Sequence, residues 1–281
     1  MLGPFTKYIY LGAVQRRLYG NGPVILMYHR VGPAPREAPD PFLYDTAEDL
    51  DLQLTAAREA GLKFVSLAEA IAGGQPQPNT LAVTFDDGCL STLVNALPVL
   101  VKHKVRATQF IVAGRIGGLN EWDISKDDVP TPLMSASQIR EWLAAGQDIG
   151  SHTVTHRNLR KVSAQAARAE ICDSKKQLED IFSLPIRHFA FPYGGWRKAE
   201  VRELVKEAGY EAACVTDFGV STSSEELWNL RRISPLSDRQ LVQKILHRGL
   251  RRINIGLPAS AAMLPHVASH AHHLHRLLRP H

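Results

Sequence analysis

The chain has 281 residues, with 33 Lys and Arg against 28 Asp and Glu, 12 His and three Cys. A hydrophobic share of 44% and a charged share of 22% are those of an ordinary globular protein, which excludes wholesale disorder and fibrous repetition. The cysteines, at 89, 172 and 214, make no C-x-x-C pair and are odd in number, which argues against a disulfide framework, and a reducing compartment is expected.

In chain order, residues 1–21 are basic and apolar. Phe5, Tyr8, Leu11, Val14 and Leu18 could form one helical face, expected to pack on the body of the protein or to rest on a membrane surface. The short apolar stretch 8–14 is closed by Gln15, Arg16 and Arg17, and no run approaches the ~18 apolar residues of a membrane span. The expected location is therefore cytoplasmic or peripheral to the cytoplasmic membrane.

Apolar runs at 24–28, 81–85, 107–112, 189–191, 212–215 and 230–233 read as buried strands. Periodic stretches at 46–60, 90–104, 137–145, 163–182, 197–208 and 238–249 read as helices. Three of these runs close on similar phrases, Arg58-Glu59-Ala60-Gly61, Leu143-Ala144-Ala145-Gly146 and Lys206-Glu207-Ala208-Gly209. Gly just past a helix reaches the left-handed region without a Cβ clash, so each phrase marks a helix-to-strand junction. Alternating strands and helices predict a parallel sheet covered by helices, with chemistry at the C-terminal ends of the strands.

Two segments break the alternation. Residues 115–135 form a long connection suited to walling a groove. Residues 251–281 form a basic tail, and seven of the twelve His lie from His247 onward. After Asp238 there is no acidic residue, so the +5 net charge belongs to the chain ends and not to a stripe across the body. Nucleic acid is not an expected partner, whereas weak contact of the basic termini with an anionic surface is compatible with the pattern. The expected division is an N-terminal segment 1–21, one catalytic domain 22–250 and the tail 251–281.

Leu81-Ala82-Val83-Thr84-Phe85-Asp86-Asp87-Gly88 is an apolar strand ending in two carboxylates. Neighbours at a strand end point opposite ways, so the two can serve different partners; a helix-capping Asp is the simpler alternative. Ser151-His152-Thr153-Val154-Thr155-His156 supplies complementary groups, two imidazoles four residues apart, which would share one face on a helical turn. No Glu follows His152, so this is not the H-E-x-x-H of a zinc protease. Asp87, His152 and His156 are expected to hold one divalent ion with open positions, and Asp86 to act as the base toward water. Zinc is the first choice of metal, with iron, cobalt or nickel as alternatives that availability would decide.

The two segments resemble the first two motifs of the polysaccharide deacetylases with the NodB homology domain, carbohydrate esterase family 4. Phe189-Ala190-Phe191-Pro192-Tyr193-Gly194 is similar to the third motif of that family. The resemblance covers roughly residues 22–235 and implies an α/β fold, a single-domain distorted (β/α)7 barrel. It implies metal-dependent removal of N- or O-acetyl groups from an acetylated poly- or oligosaccharide. Asp86 would be the base, Asp87, His152 and His156 the metal ligands, and the Tyr193 N–H an oxyanion donor. Pro192, Tyr193 and Gly194 would line the substrate site.

The sequence departs from the family pattern in two places. Ala190 stands where many members carry the Arg that orients the base, and Arg232 is the candidate substitute. The usual C-terminal Leu-x-His acid is not evident, since Leu246-His247 lies in a basic helical stretch. Instead Pro23-Val24-Ile25-Leu26-Met27-Tyr28-His29-Arg30 delivers His29 to a strand end, and this start resembles the rearranged subgroup acting on poly-N-acetylglucosamine. His29 becomes the candidate acid. Trp122 is a candidate for stacking on a sugar or for pinning its own loop, and Cys89 for packing.

Other readings are an amidase or deformylase of the same fold acting on a small or lipid-linked sugar, and a catalytically silent carbohydrate-binding protein. A 2-His-1-carboxylate iron oxygenase shares the ligand set, but no 2-oxo acid or reductant site is evident.

Overall fold

A computed structural model describes residues 22–36, 38, 40, 43–126, 130–195 and 198–234. The N-terminal segment 1–21, the expected helix 238–249, Leu246-His247 and the His-rich tail lie outside the described residues.

The order begins β1 (Val24–Tyr28), β2 (Arg30–Val31), β3 (Tyr44–Asp45), α1 (Ala47–Glu59), β4 (Lys63–Phe64) and α2 (Leu67–Ala70). It continues through β5 (Thr80–Phe85), α3 (Leu97–His103), β6 (Thr108–Ile111), α4 (Ala136–Ala144), β7 (Asp148–Ser151) and α5 (Ala164–Phe182). The last elements are β8 (His188–Ala190), α6 (Ala199–Glu207), β9 (Ala212–Phe218) and β10 (Leu230–Arg232). Seven parallel strands run in the order β1-β5-β6-β7-β8-β9-β10, and β4 pairs with β5 off that path. Backbone hydrogen bonds from Met27 N–H to the Ile233 carbonyl (2.9 Å) and from Ile233 N–H to the Ile25 carbonyl (2.8 Å) join the two ends of the path. The fold is an α/β barrel, nearly closed.

Strand parity sorts the side chains. Val24, Leu26, Tyr28, Leu81, Val83 and Phe85 pack outward with the helices. Ile25, Ala82, Phe110, Ala190, Cys214 and Leu230 form a separate inward cluster. The period-2 alternation carries that assignment to each strand end. The parallel arrangement then brings all the C-terminal ends to one side.

Several helices start on the side-chain caps that their sequences offer. Thr46 accepts from the Asp49 N–H, and Ser135 with Gln138 forms a reciprocal capping box. The expected helix 90–104 is divided: a wide π turn spans Thr92–Ala96 before α3, at the point where Pro98 has no N–H to give to the ladder. The short β4 and α2, and the parallel pair β2–β3, have too few residues for a periodic signal. No helix among the described residues is long and apolar enough to cross a membrane.

Candidate active site

Asp86 and Asp87 follow β5 directly. Register pairs Tyr28 with Phe85, so His29 arrives beside Asp86, and its Nε2 lies 3.9 Å from Asp86 Oδ2. Asp86 continues the inward parity of Ala82 and Thr84. Asp87 leaves the strand in the left-handed region (φ 74°), and this turn, rather than strand alternation alone, aims it at a different set of partners. Gly88 is also left-handed (φ 83°), and a Cβ there would press on Ile111, 3.3 Å away.

Asp86 is fully buried and gripped at both oxygens. Arg232, the last residue of β10, places Nη1 2.7 Å from Oδ1 and Nη2 2.7 Å from Oδ2. The guanidinium is itself fixed by Thr84 Oγ1 (3.1 Å) and the Val215 carbonyl (3.0 Å). Burial alone would raise the Asp86 pKa, but Arg232, followed by His152, holds it below the usual carboxylate range. Ala190 and Arg232 both face the interior, so an Arg on either strand has a path to this carboxylate.

Asp87 faces two imidazoles. Its Oδ1 lies 3.3 Å from His156 Nε2 and 3.5 Å from His152 Nε2, and the three ligand atoms lie within 4.8 Å of one another. All three residues are buried, and no hydrogen-bond donor among the described residues satisfies Asp87 Oδ1. His152 Nδ1 lies 2.8 Å from the Ala190 carbonyl, an arrangement that places the proton on Nδ1 and leaves a lone pair on Nε2. Burial pushes the His152 pKa down to about 4, so the ring is neutral at pH 7. Burial works against ionisation of Asp87, yet nearby His156 holds its pKa far below the usual range. A buried carboxylate and two imidazoles converging where no donor satisfies Asp87 Oδ1 fit a divalent cation by charge and donor chemistry.

The expected helical turn at 152–156 is not formed. The segment is a curled loop in which Thr153 (φ 69°) and His156 (φ 61°) are both left-handed. The imidazoles meet because the loop is bent by bonds to other elements. Thr153 Oγ1 accepts from the His156 N–H (3.0 Å), and the Ala113 and Gly114 N–H groups donate to the Thr153 and Val154 carbonyls (3.0 and 2.9 Å). A Cβ on Gly114 would stand 2.7 Å from the Val154 carbonyl oxygen, so only glycine permits that approach.

His156 lies between two aromatic rings. Trp122 stacks on it at 4.3 Å and 28°, and Tyr193 meets it edge-on at 4.9 Å. One face of Trp122 is thus occupied by a metal-ligand candidate. Pro192, Tyr193 and Gly194 form the turn after β8, with Tyr193 left-handed (φ 55°) and its carbonyl accepting from Thr216 Oγ1. Cys89 is wholly buried and its thiol is pushed up to about 12 by burial, which leaves it no nucleophilic character at neutral pH.

Three residues escaped the sequence reading. Glu170 on α5 accepts from the Val154 and Thr155 N–H groups and from the Thr155 hydroxyl. Arg30 donates to Asp123 (2.6 Å), burying an ion pair under the loop that carries Trp122. Thr84 supports Arg232. For Glu170 a signal exists: it falls among Ala167, Ile171, Ser174 and Leu178, the buried stripe of α5, where a carboxylate needs a reason.

A sequence model of the polysaccharide deacetylase family matches residues 73–213. The Bacillus subtilis (strain 168) protein YxkH, whose name carries the same family, is 26% identical over 217 residues, covering 74% of this chain and 70% of its own. A poly-beta-1,6-N-acetyl-D-glucosamine N-deacetylase of Staphylococcus epidermidis is 27% identical over 173 residues, 57% of each chain. Among solved structures, IcaB from Ammonifex degensii superposes with a TM-score of 0.67 at 27% identity, covering 80% of this chain and 96% of that one. The Streptococcus pyogenes deacetylase PplD, at 23% identity and a TM-score of 0.64 over 79% and 97%, shares the fold.

Proposed function

Starting from the fact that the chain belongs to the polysaccharide deacetylase family, we propose that it hydrolyses the acetamide of N-acetylated sugars in a poly- or oligosaccharide, with one divalent metal ion. The observation that carries this reading is the division of labour between adjacent carboxylates. Asp86 is locked by Arg232, whereas Asp87 faces His152 and His156 without a proton donor.

Asp87, His152 and His156 would hold the ion. When bound, a divalent metal supplies Lewis acidity toward the acetyl carbonyl and lowers the pKa of water. Asp86 accepts the proton of the attacking water, and Arg232 keeps its carboxylate ionised and aimed. The Tyr193 N–H donates to the oxyanion that forms at the former carbonyl. His29, within 3.9 Å of Asp86, gives a proton to the departing nitrogen as the C–N bond breaks. The products are acetate and a free sugar amine. Pro192, Gly194 and Trp122 line the approach, and Trp122 also stacks on the ring of His156.

The similarity to the poly-beta-1,6-N-acetyl-D-glucosamine N-deacetylase of Staphylococcus epidermidis makes that polymer the first substrate to try. Oligomers of that polymer should yield acetate and amine in equal amounts, and this release should stop with a chelator and return with zinc. Zinc-loaded protein that releases no acetate from any acetylated amino sugar overturns the proposal.

A further inference from the structure

Glu170 sits on α5, fourteen residues past His156 and outside every motif quoted above. Its side chain accounts for the backbone donors of the loop that ends in His156. Oε2 accepts from the Val154 N–H at 2.9 Å and from the Thr155 N–H at 2.8 Å, and Oε1 accepts from the Thr155 hydroxyl. The opposite side of the same loop is held by the Ala113 and Gly114 N–H groups at the carbonyls of Thr153 and Val154. The loop is therefore clamped from both sides, and one side of the clamp is a single carboxylate with 8% of its residue surface exposed.

A clamp is needed because the loop conformation is costly. Thr153 and His156 are β-branched and bulky residues in the left-handed region, each at a cost of order 1–3 kcal/mol, and such conformations persist only when the surroundings over-determine them. Without Glu170, two part-buried N–H groups would lose their acceptor, and His156 would no longer be fed into the site from a fixed starting point.

We propose that Glu170 is a positioning residue for the metal ligand His156, acting through hydrogen bonds to residues 154 and 155. The proposal rests on the reading of Asp87, His152 and His156 as a metal site.

The test is zinc affinity of the full chain, read by competition with a chromogenic chelator. The His152→Ala variant sets the background from the His-rich tail. Glu170→Ala should keep the wild-type circular dichroism spectrum and weaken the site-specific zinc affinity about 10- to 100-fold, as loss of an outer support of a ligand does elsewhere. Its kcat should recover at saturating zinc. Glu170→Gln retains an amide oxygen for both N–H groups and an NH2 for the Thr155 oxygen, so it should bind zinc within a few-fold of wild type. If Glu170→Ala does not fold, Thr155→Val, which deletes the hydroxyl contact alone, should show a smaller weakening in the same direction.

Wild-type affinity in Glu170→Ala, or in Thr155→Val where that variant carries the test, overturns the proposal. So does a Gln variant as weak as the Ala variant. If His152→Ala itself binds zinc like wild type, the metal site fails and Glu170 with it. Loss in His152→Ala with no loss in Glu170→Ala overturns the role of Glu170 alone.

Discussion

Arg232 and Asp86, 146 residues apart in the chain, meet in a two-pronged ion pair with both N–O distances at 2.7 Å. Both are inward-facing and essentially without solvent exposure. Such a pair contributes orientation more than stability, because desolvation offsets much of the Coulombic gain, while removal of one partner strands a buried charge. Asp86→Asn should therefore lower acetate release by about 100- to 10,000-fold, the usual worth of a general base, with zinc affinity unchanged within a few-fold. Arg232→Lys keeps the charge but not the fork; it should lower kcat more than it raises KM. Normal turnover in Asp86→Asn would remove the base from the mechanism.

His29 Nε2 lies 3.9 Å from Asp86 Oδ2, and its proposed role as acid can be separated by leaving group. His29→Gln should slow hydrolysis of an acetamido sugar by about 100-fold or more. It should have much less effect on 4-nitrophenyl acetate, whose phenolate departs without a proton. Equal losses on both substrates would make His29 a binding or structural group.

The Arg30–Asp123 pair should matter to stability in a way that surface pairs do not. Arg30 and Asp123 side chains are 2% and 5% exposed, while Arg168 and Glu207, also paired at 2.6 Å, are each 54% exposed. Asp123→Ala removes a buried carboxylate partner of a buried guanidinium and should cost several-fold more in denaturant unfolding than loss of a surface pair, up to about 3–5 kcal/mol. Glu207→Ala should cost about 1 kcal/mol or less. Because Trp122 precedes Asp123 and covers His156, substrate KM should also rise in Asp123→Ala; urea midpoints and KM measured on the two variants settle both points.

His188 predicts a pH dependence. Burial, and then the charges of Arg187 and Lys175, push its pKa from the ordinary 6.5 down to about 4. The folded state thus binds this proton less readily than the unfolded state. The contribution is fully present above pH 6.5, falls as pH drops through the interval from 6.5 to about 4, and levels off below it. In that interval wild type should lose up to about 3 kcal/mol relative to His188→Leu, at 1.36 kcal/mol per pKa unit. A stability gap between the two proteins that stays constant from pH 7 to pH 4.5 would contradict the assignment.

The residues of the candidate site were legible in short stretches. Asp86-Asp87, His152 with His156, and Pro192-Tyr193-Gly194 each carry their residue types within a few positions, and helix–Gly–strand junctions announce a parallel α/β sheet. Local pattern also carries strand parity, so the inward direction of Ala82, Thr84 and Asp86 follows from the alternation of β5. The curl at 152–156 was not legible, because the loop is hydrogen-bonded to Glu170, Ala113 and Gly114, which belong to other elements. A sequence spacing of four matches a helical turn equally well.

What the chain alone determined is the kit: a carboxylate pair, an imidazole pair and the strands that carry them. Closure of the barrel decided who meets whom. Joining β10 to β1 brings Arg232 across the interior to Asp86, and parallel register sets His29 beside that same carboxylate. Propensity and periodicity act over a few residues, whereas these encounters depend on strands far apart in the chain becoming neighbours around a ring.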